Sequence, residues 1–222
     1  MITTDKWVYI HVPRTAGSTF ENKVSESWNR NAVADAQHTT VYDLKGNYQN
    51  RFIFGFVRNP YTYEWSIWKS HQHWDIFENF DEWCSYRFDG NQEYFYEKFP
   101  SRKMELDYGN QLFIRDMSGY FCDENKQSYV SQIYRFEELE ESWKEIQKRT
   151  EIDVNLEYHQ SNYQITYRDE YTDYSYDLVS RHRAKDIELF GYDFDGYSGD
   201  VPLKFTTDYV GYNYAYTRGS HP

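Results

Sequence analysis

In the stretch His11-Val-Pro-Arg-Thr-Ala-Gly-Ser-Thr19, the side chains of Arg14, Thr15, Ser18 and Thr19 crowd cationic and hydroxyl donors around a single glycine. That grouping suits an anion. Trp7 to Val12 is an apolar run that reads as a buried strand, Pro13 stops it, Gly17 permits a tight turn, and Ser18-Thr19 open a helix. A helix start offers unpaired N–H groups and the positive end of the helix dipole, so the spacing predicts a phosphate cradle. It is not a Walker A loop, because no Lys precedes Ser18 or Thr19 and the first glycine of that pattern is missing.

A second basic position stands at Arg58, in Arg58-Asn-Pro60, directly after the continuous apolar run Phe52 to Val57. Such a run fits a central parallel strand covered on both faces. A helix is predicted from Tyr61 to Ser70, carrying Ser66, with Trp65 and Trp68 turned inward. His71-x-His73 lacks the carboxylate or cysteine spacing of a metal site, so no metal is expected.

These residues need elements to hold them. The helix opened by Ser18-Thr19 is predicted to run to about Trp28, with Phe20, Val24 and Trp28 on one face. Short helices are predicted over Phe77 to Arg87, Gln92 to Phe99 and Tyr108 to Met117, then a third strand over Ser128 to Tyr134. Glu137 to Lys148 reads as a charged helix whose inward face carries Leu139, Trp143 and Ile146, its acidic start and basic end complementing the dipole. Asn155 to Asp169 reads as polar loop. Thr172 caps a helix leading into Ala184 to Phe190, which Gly191 stops. This order of strands and helices predicts an α/β sandwich with a small central parallel sheet, with ligands bound beyond the carboxyl ends of the strands.

With 222 residues the chain is long enough for one domain with a real core, expected over residues 1–196 with an irregular tail over 197–222. Seven Trp, 24 Tyr and 15 Phe either supply packing in a chain poor in Leu and Val or wall a sugar- or ring-binding cleft. A formal net charge of -12 argues against a nucleic-acid polymer or a polyanionic acceptor as partner. Any anionic ligand must then be held by a local basic cluster. Cys84 and Cys122 are too few for a zinc site or a disulfide framework. No apolar run approaches membrane-spanning length, and the sequence reads as a cytoplasmic protein without a targeting segment.

Four segments together resemble the sulfotransferases that use 3′-phosphoadenosine 5′-phosphosulfate (PAPS), most closely their carbohydrate branch. His11 to Thr19 resembles the family's 5′-phosphosulfate loop, and Phe54-Gly-Phe-Val-Arg-Asn-Pro-Tyr61 with Ser66 resembles its 3′-phosphate motif. Tyr134-Arg-Phe-Glu-Glu-Leu139 is similar to its Arg-Phe-Glu-x-Leu segment, and Ala184-Lys-Asp-Ile-Glu-Leu-Phe-Gly-Tyr192 to its closing Asp-x-x-x-Phe-Gly-Tyr helix. The resemblance implies a P-loop-like three-layer α/β fold. It also implies transfer of a sulfuryl group from PAPS to a hydroxyl, with 3′-phosphoadenosine 5′-phosphate (PAP) as product and no metal.

Carried onto this chain, it implies that Arg14, Thr15, Ala16, Gly17, Ser18 and Thr19 hold the 5′-phosphate, while Arg58 and Ser66 hold the 3′-phosphate. His38 would be the base that takes the acceptor's proton, a task an imidazole suits near neutral pH, with His159 as its rival. The chain departs from the family at Arg14, where Lys is usual. An Arg there has an electrostatic role only, since its pKa above about 12 rules out proton donation. It departs again at Tyr63-Glu64, where the family often has Asp-Arg. The acceptor is expected to be a glycan or a small molecule. A P-loop-type kinase and a non-catalytic nucleotide- or glycan-binding module are the alternatives.

Overall fold

The computed structural model describes residues 1–27, 33–34, 40–44, 48, 50–104, 106–107, 115–123, 125–154 and 167–206. Its sheet contains β1 (Ile2–Thr3), β2 (Trp7–Ile10), β3 (Val33–Ala34), β4 (Phe52–Val57) and β5 (Gln132–Arg135), in the spatial order β3-β1-β2-β4-β5. The three predicted strands are parallel, with Ile10 opposite Gly55 and Val57 opposite Arg135. The sheet is nevertheless mixed: β1 pairs antiparallel with both β2 and β3. These two-residue strands carry too little periodicity for a sequence to announce them.

Alternation along the strands divides the core in two. Trp7, Tyr9, Phe54, Phe56 and Tyr134 point to one face, against Phe20 and Val24 of α1 (Gly17–Ser27) and Leu139, Trp143 and Ile146 of a later helix, Leu139–Thr150. Val8, Ile10, Ile53, Val57 and Ile133 point to the other face. There they meet α2 (Pro60–His71), α3 (Phe80–Phe88) and the pair Asp173–His182 and Ala184–Phe190. Helices thus cover both faces, which is why the strands read as unbroken apolar runs. Including α4 (Gln92–Lys98), the helix Leu139–Thr150 becomes α5, Tyr167–Glu170 α6, Asp173–His182 α7 and Ala184–Phe190 α8.

Aromatic rings fill much of this interior. Tyr9, Tyr63 and Tyr86 are fully buried, and Phe20 meets Trp143 edge to face at 5.6 Å. Packing therefore accounts for many of the tyrosines, while Tyr42, Tyr94, Tyr174, Tyr176 and Tyr197 stay exposed.

Most predicted elements appear with shifted ends. α1 begins one residue early, at Gly17, and Trp28 lies outside the described residues. α3 starts at Phe80 rather than Phe77, because the Asn79 side chain accepts from the Glu82 N–H at 3.0 Å and caps it there. The third strand begins at Gln132 rather than Ser128. Residues before it are drawn elsewhere: Ser128 N–H donates to Phe205 O at 2.9 Å, Tyr129 N–H to Phe121 O, and Gln127 bridges Thr206. Of the helix expected over Tyr108 to Met117, residues 108–114 lie outside the described ones, and Met117–Phe121 is a 3-10 turn. Thr172 caps α7 with a reciprocal Ser175 bond, and Gly191, at φ 66°, ends α8 as expected.

Candidate functional site

β2 and β4 are neighbouring parallel strands, so the loops leaving their carboxyl ends emerge side by side. The first is Pro13 to Ala16. Arg14 and Ala16 both take left-handed backbone conformations, φ 58° and 64°, which side-chain-bearing residues adopt only at a cost of about 1–3 kcal/mol each. Thr15 is buried and spends its hydroxyl on the loop itself, donating to Val12 O at 2.8 Å. Ser18 is exposed and Thr19 partly so at the start of α1. Successive N–H groups around such a turn, followed by a helix start, form a concavity suited to an anion.

The second loop, Arg58 to Pro60, leans on the first. One Arg58 amino group donates to the Arg14 carbonyl at 3.0 Å, its Nε donates to Thr62 Oγ1 at 3.0 Å, and its guanidinium lies 4.8 Å from the Phe136 ring centre. Arg14 reaches back the other way, its Nε donating to Ser66 Oγ at 2.9 Å. The two basic residues thus interlock: each loop's arginine is held by the other loop or by the helix that follows it. Ser66 is almost fully buried in α2, and its hydroxyl faces the first loop through this bond from Arg14.

The contacts continue through the remaining segments. Asn59 N–H donates to Glu137 Oε1 at 2.7 Å, and the other carboxylate oxygen of Glu137 accepts from Tyr192 OH at 3.0 Å. Burial pushes the Glu137 carboxyl above its ordinary value, against the Asn59 bond and the Arg58 charge. Arg135 is buried; one amino group donates to Phe190 O at 2.8 Å, and the guanidinium lies 4.5 Å from the Tyr197 ring centre. Glu137 and Arg135 therefore tie the end of β5 to α2 and to the turn after α8.

Beneath the site is a buried ionic cluster that sequence reasoning missed. Glu64 has no exposed surface; its Oε1 accepts from Arg183 Nε at 2.8 Å, and Arg87 Nε lies 3.1 Å from its Oε2. Arg183 also donates to Arg115 O at 3.1 Å, and Asp186 accepts the Met117 and Ser118 N–H groups at 2.6 and 3.0 Å. Burial, reinforced by the Asp116 charge, pushes the Asp186 carboxyl up to about 6. The one signal in the sequence was Glu64 set directly between the aromatic residues Tyr63 and Trp65.

His38 and His159, the two candidate bases, lie outside the described residues. His71 turns its Nδ1 to Ile67 O at 2.7 Å, and among the described residues no group of three or more His, Cys, Asp or Glu is arranged to hold a metal ion. Cys84 and Cys122 are both buried free thiols. No helix of the described residues is long and apolar enough to cross a membrane. Comparison with protein-family models, curated proteins and solved structures returns no significant match.

Proposed function

We propose that this chain is a PAPS-dependent sulfotransferase of P-loop-like three-layer architecture, acting on a hydroxyl acceptor that is a carbohydrate by first preference. One observation carries the reading: the four segments that resemble the family, far apart in sequence, join into one run of contacts from Ser66 through Arg14, Arg58, Asn59 and Glu137 to Tyr192.

In this reading the N–H groups of the loop and of the start of α1 hold the 5′-phosphate, with the Ser18 and Thr19 hydroxyls beside them. Arg58 and Ser66 hold the 3′-phosphate through charge-assisted and neutral hydrogen bonds. Transfer is in-line. The acceptor oxygen bonds to sulfur as the bond from sulfur to the bridging oxygen breaks, the bonding pair leaves with the 5′-phosphate, and His38 takes the hydroxyl proton. Arg14, permanently charged, offsets the negative charge gathering on the leaving phosphate.

The test is to incubate the protein with radiolabelled PAPS and a panel of hydroxyl acceptors without added metal. Label should move to an acceptor and stay on PAPS in His38→Ala. Nucleotide binding without transfer would instead support a binding module, and absence of both would sink the proposal.

A further inference from the structure

His11 is the first residue beyond β2 and is 2 % exposed, yet none of the roles above uses it. Its ring lies directly over the first residue of α1: a Cβ built on Gly17 would stand 1.8 Å from the ring's Cδ2 and 1.9 Å from its Nε2. The opposite ring nitrogen, Nδ1, lies 2.9 Å from Glu21 Oε1. Gly17 and Glu21 are four residues apart, so they share one face of α1 on successive turns. One imidazole therefore clamps two turns of the helix back onto the strand that feeds it.

The loop between these clamped ends is the one that carries the two left-handed residues, Arg14 and Ala16. A strained conformation of this kind persists only where its surroundings over-determine it. Glu21 is a built anchor for that purpose, since it also accepts from the α-amino group of Met1 at 3.3 Å, which ties in β1. Burial pushes the Glu21 carboxyl up, but the bond to His11, the charge of His11 and that ammonium outweigh it and leave the carboxyl below its ordinary range. A carboxylate in this place accepts a hydrogen bond from Nδ1–H, which fixes the orientation of the ring.

We infer that His11 and Glu21 are a positioning pair that holds the Pro13–Ala16 loop and the first turn of α1 in their anion-binding shape from behind, without touching the ligand. The inference rests on the phosphate-loop reading for its functional consequence, but its structural half stands apart. His11→Ala removes both the clamp over Gly17 and the bond to Glu21. His11→Asn keeps an N–H near the place of Nδ1, so it retains the bond.

Two measurements test the pair. In calorimetry with PAP, His11→Ala should weaken binding about tenfold or more, as misplaced binding groups do, and His11→Asn should recover most of it. In hydrogen exchange, amides of residues 12–20 should exchange faster in His11→Ala than in wild type or His11→Asn, while α5 stays protected in all three. Equal loss of affinity in the two variants, or unchanged exchange over residues 12–20 in His11→Ala, would overturn the inference. Should wild type fail to bind PAP, the donor reading falls, and the exchange arm still decides whether the pair holds the loop. Should His11→Ala not fold, the comparison of His11→Asn with wild type carries both arms, and a loose, weakly binding His11→Asn rejects the role.

Discussion

Gly17 has no room for a side chain. The methyl group of Gly17→Ala would overlap the His11 ring, and that ring is fixed by Glu21, so either the ring or α1 must shift. Overpacking of this kind costs about 1–3 kcal/mol, and each kcal/mol lowers the melting temperature of a chain this size by about 2–4 °C. Thermal denaturation should show that drop. Arg58 is a different case, because it is partly exposed and its contacts are made at a rim. Arg58→Ala should leave the melting temperature nearly unchanged but weaken PAP binding about tenfold or more, the worth of one lost charge-assisted bond. Unchanged affinity in calorimetry would remove Arg58 from the site. At this scale the sequence was informative about which polar residues gather, since Arg14, Ser66 and Arg58 do meet. It was silent on His11, whose partner lies ten residues away and whose role depends on a contact with a backbone.

Elements are joined at the site by a few buried acceptors. Glu137, after β5, receives the N–H of Asn59 at the head of α2 and the hydroxyl of Tyr192 after α8. Glu137→Ala leaves a buried N–H without its acceptor and should cost about 1–3 kcal/mol, whereas Glu137→Gln keeps a carbonyl oxygen for Asn59 and should cost clearly less. Denaturant unfolding of the pair gives the comparison, and equal losses would show that the charge, not the hydrogen bond, matters. The main strands and helices were legible because both faces of the sheet are covered: β2 and β4 are solid apolar runs, and α5 shows a clean inward stripe of Leu139, Trp143 and Ile146. The starts of α3 and β5 were not legible. One is set by an Asn cap and the other by competition from a segment more than seventy residues downstream, and a local reading sees neither.

Across the whole molecule, the buried ionic cluster makes stability depend on pH. Asp186 has its carboxyl raised to about 6, against an unfolded value of about 3.9. A raised carboxyl favours the folded state most below the unfolded value, and that contribution is lost as pH climbs through the folded one. The stability advantage of wild type over Asp186→Asn should therefore be largest near pH 4 and shrink by pH 7, read from melting temperatures across that range; an advantage that grows with pH would contradict the burial argument. The segment from Tyr197 to Thr206 belongs in the same view. In sequence it read as part of an irregular tail, yet Ser198 O accepts from Arg135, Phe205 pairs with Ser128, and a cavity of about 390 Å³ lies between it and β5. The segment thus lies along the outer side of β5, the last strand of the sheet among the described residues. A chain cut after residue 196 would leave the outer side of β5 less covered, and an uncovered edge is the usual template for strand-to-strand stacking, so it should elute from a sizing column as oligomers or precipitate where the full chain does not.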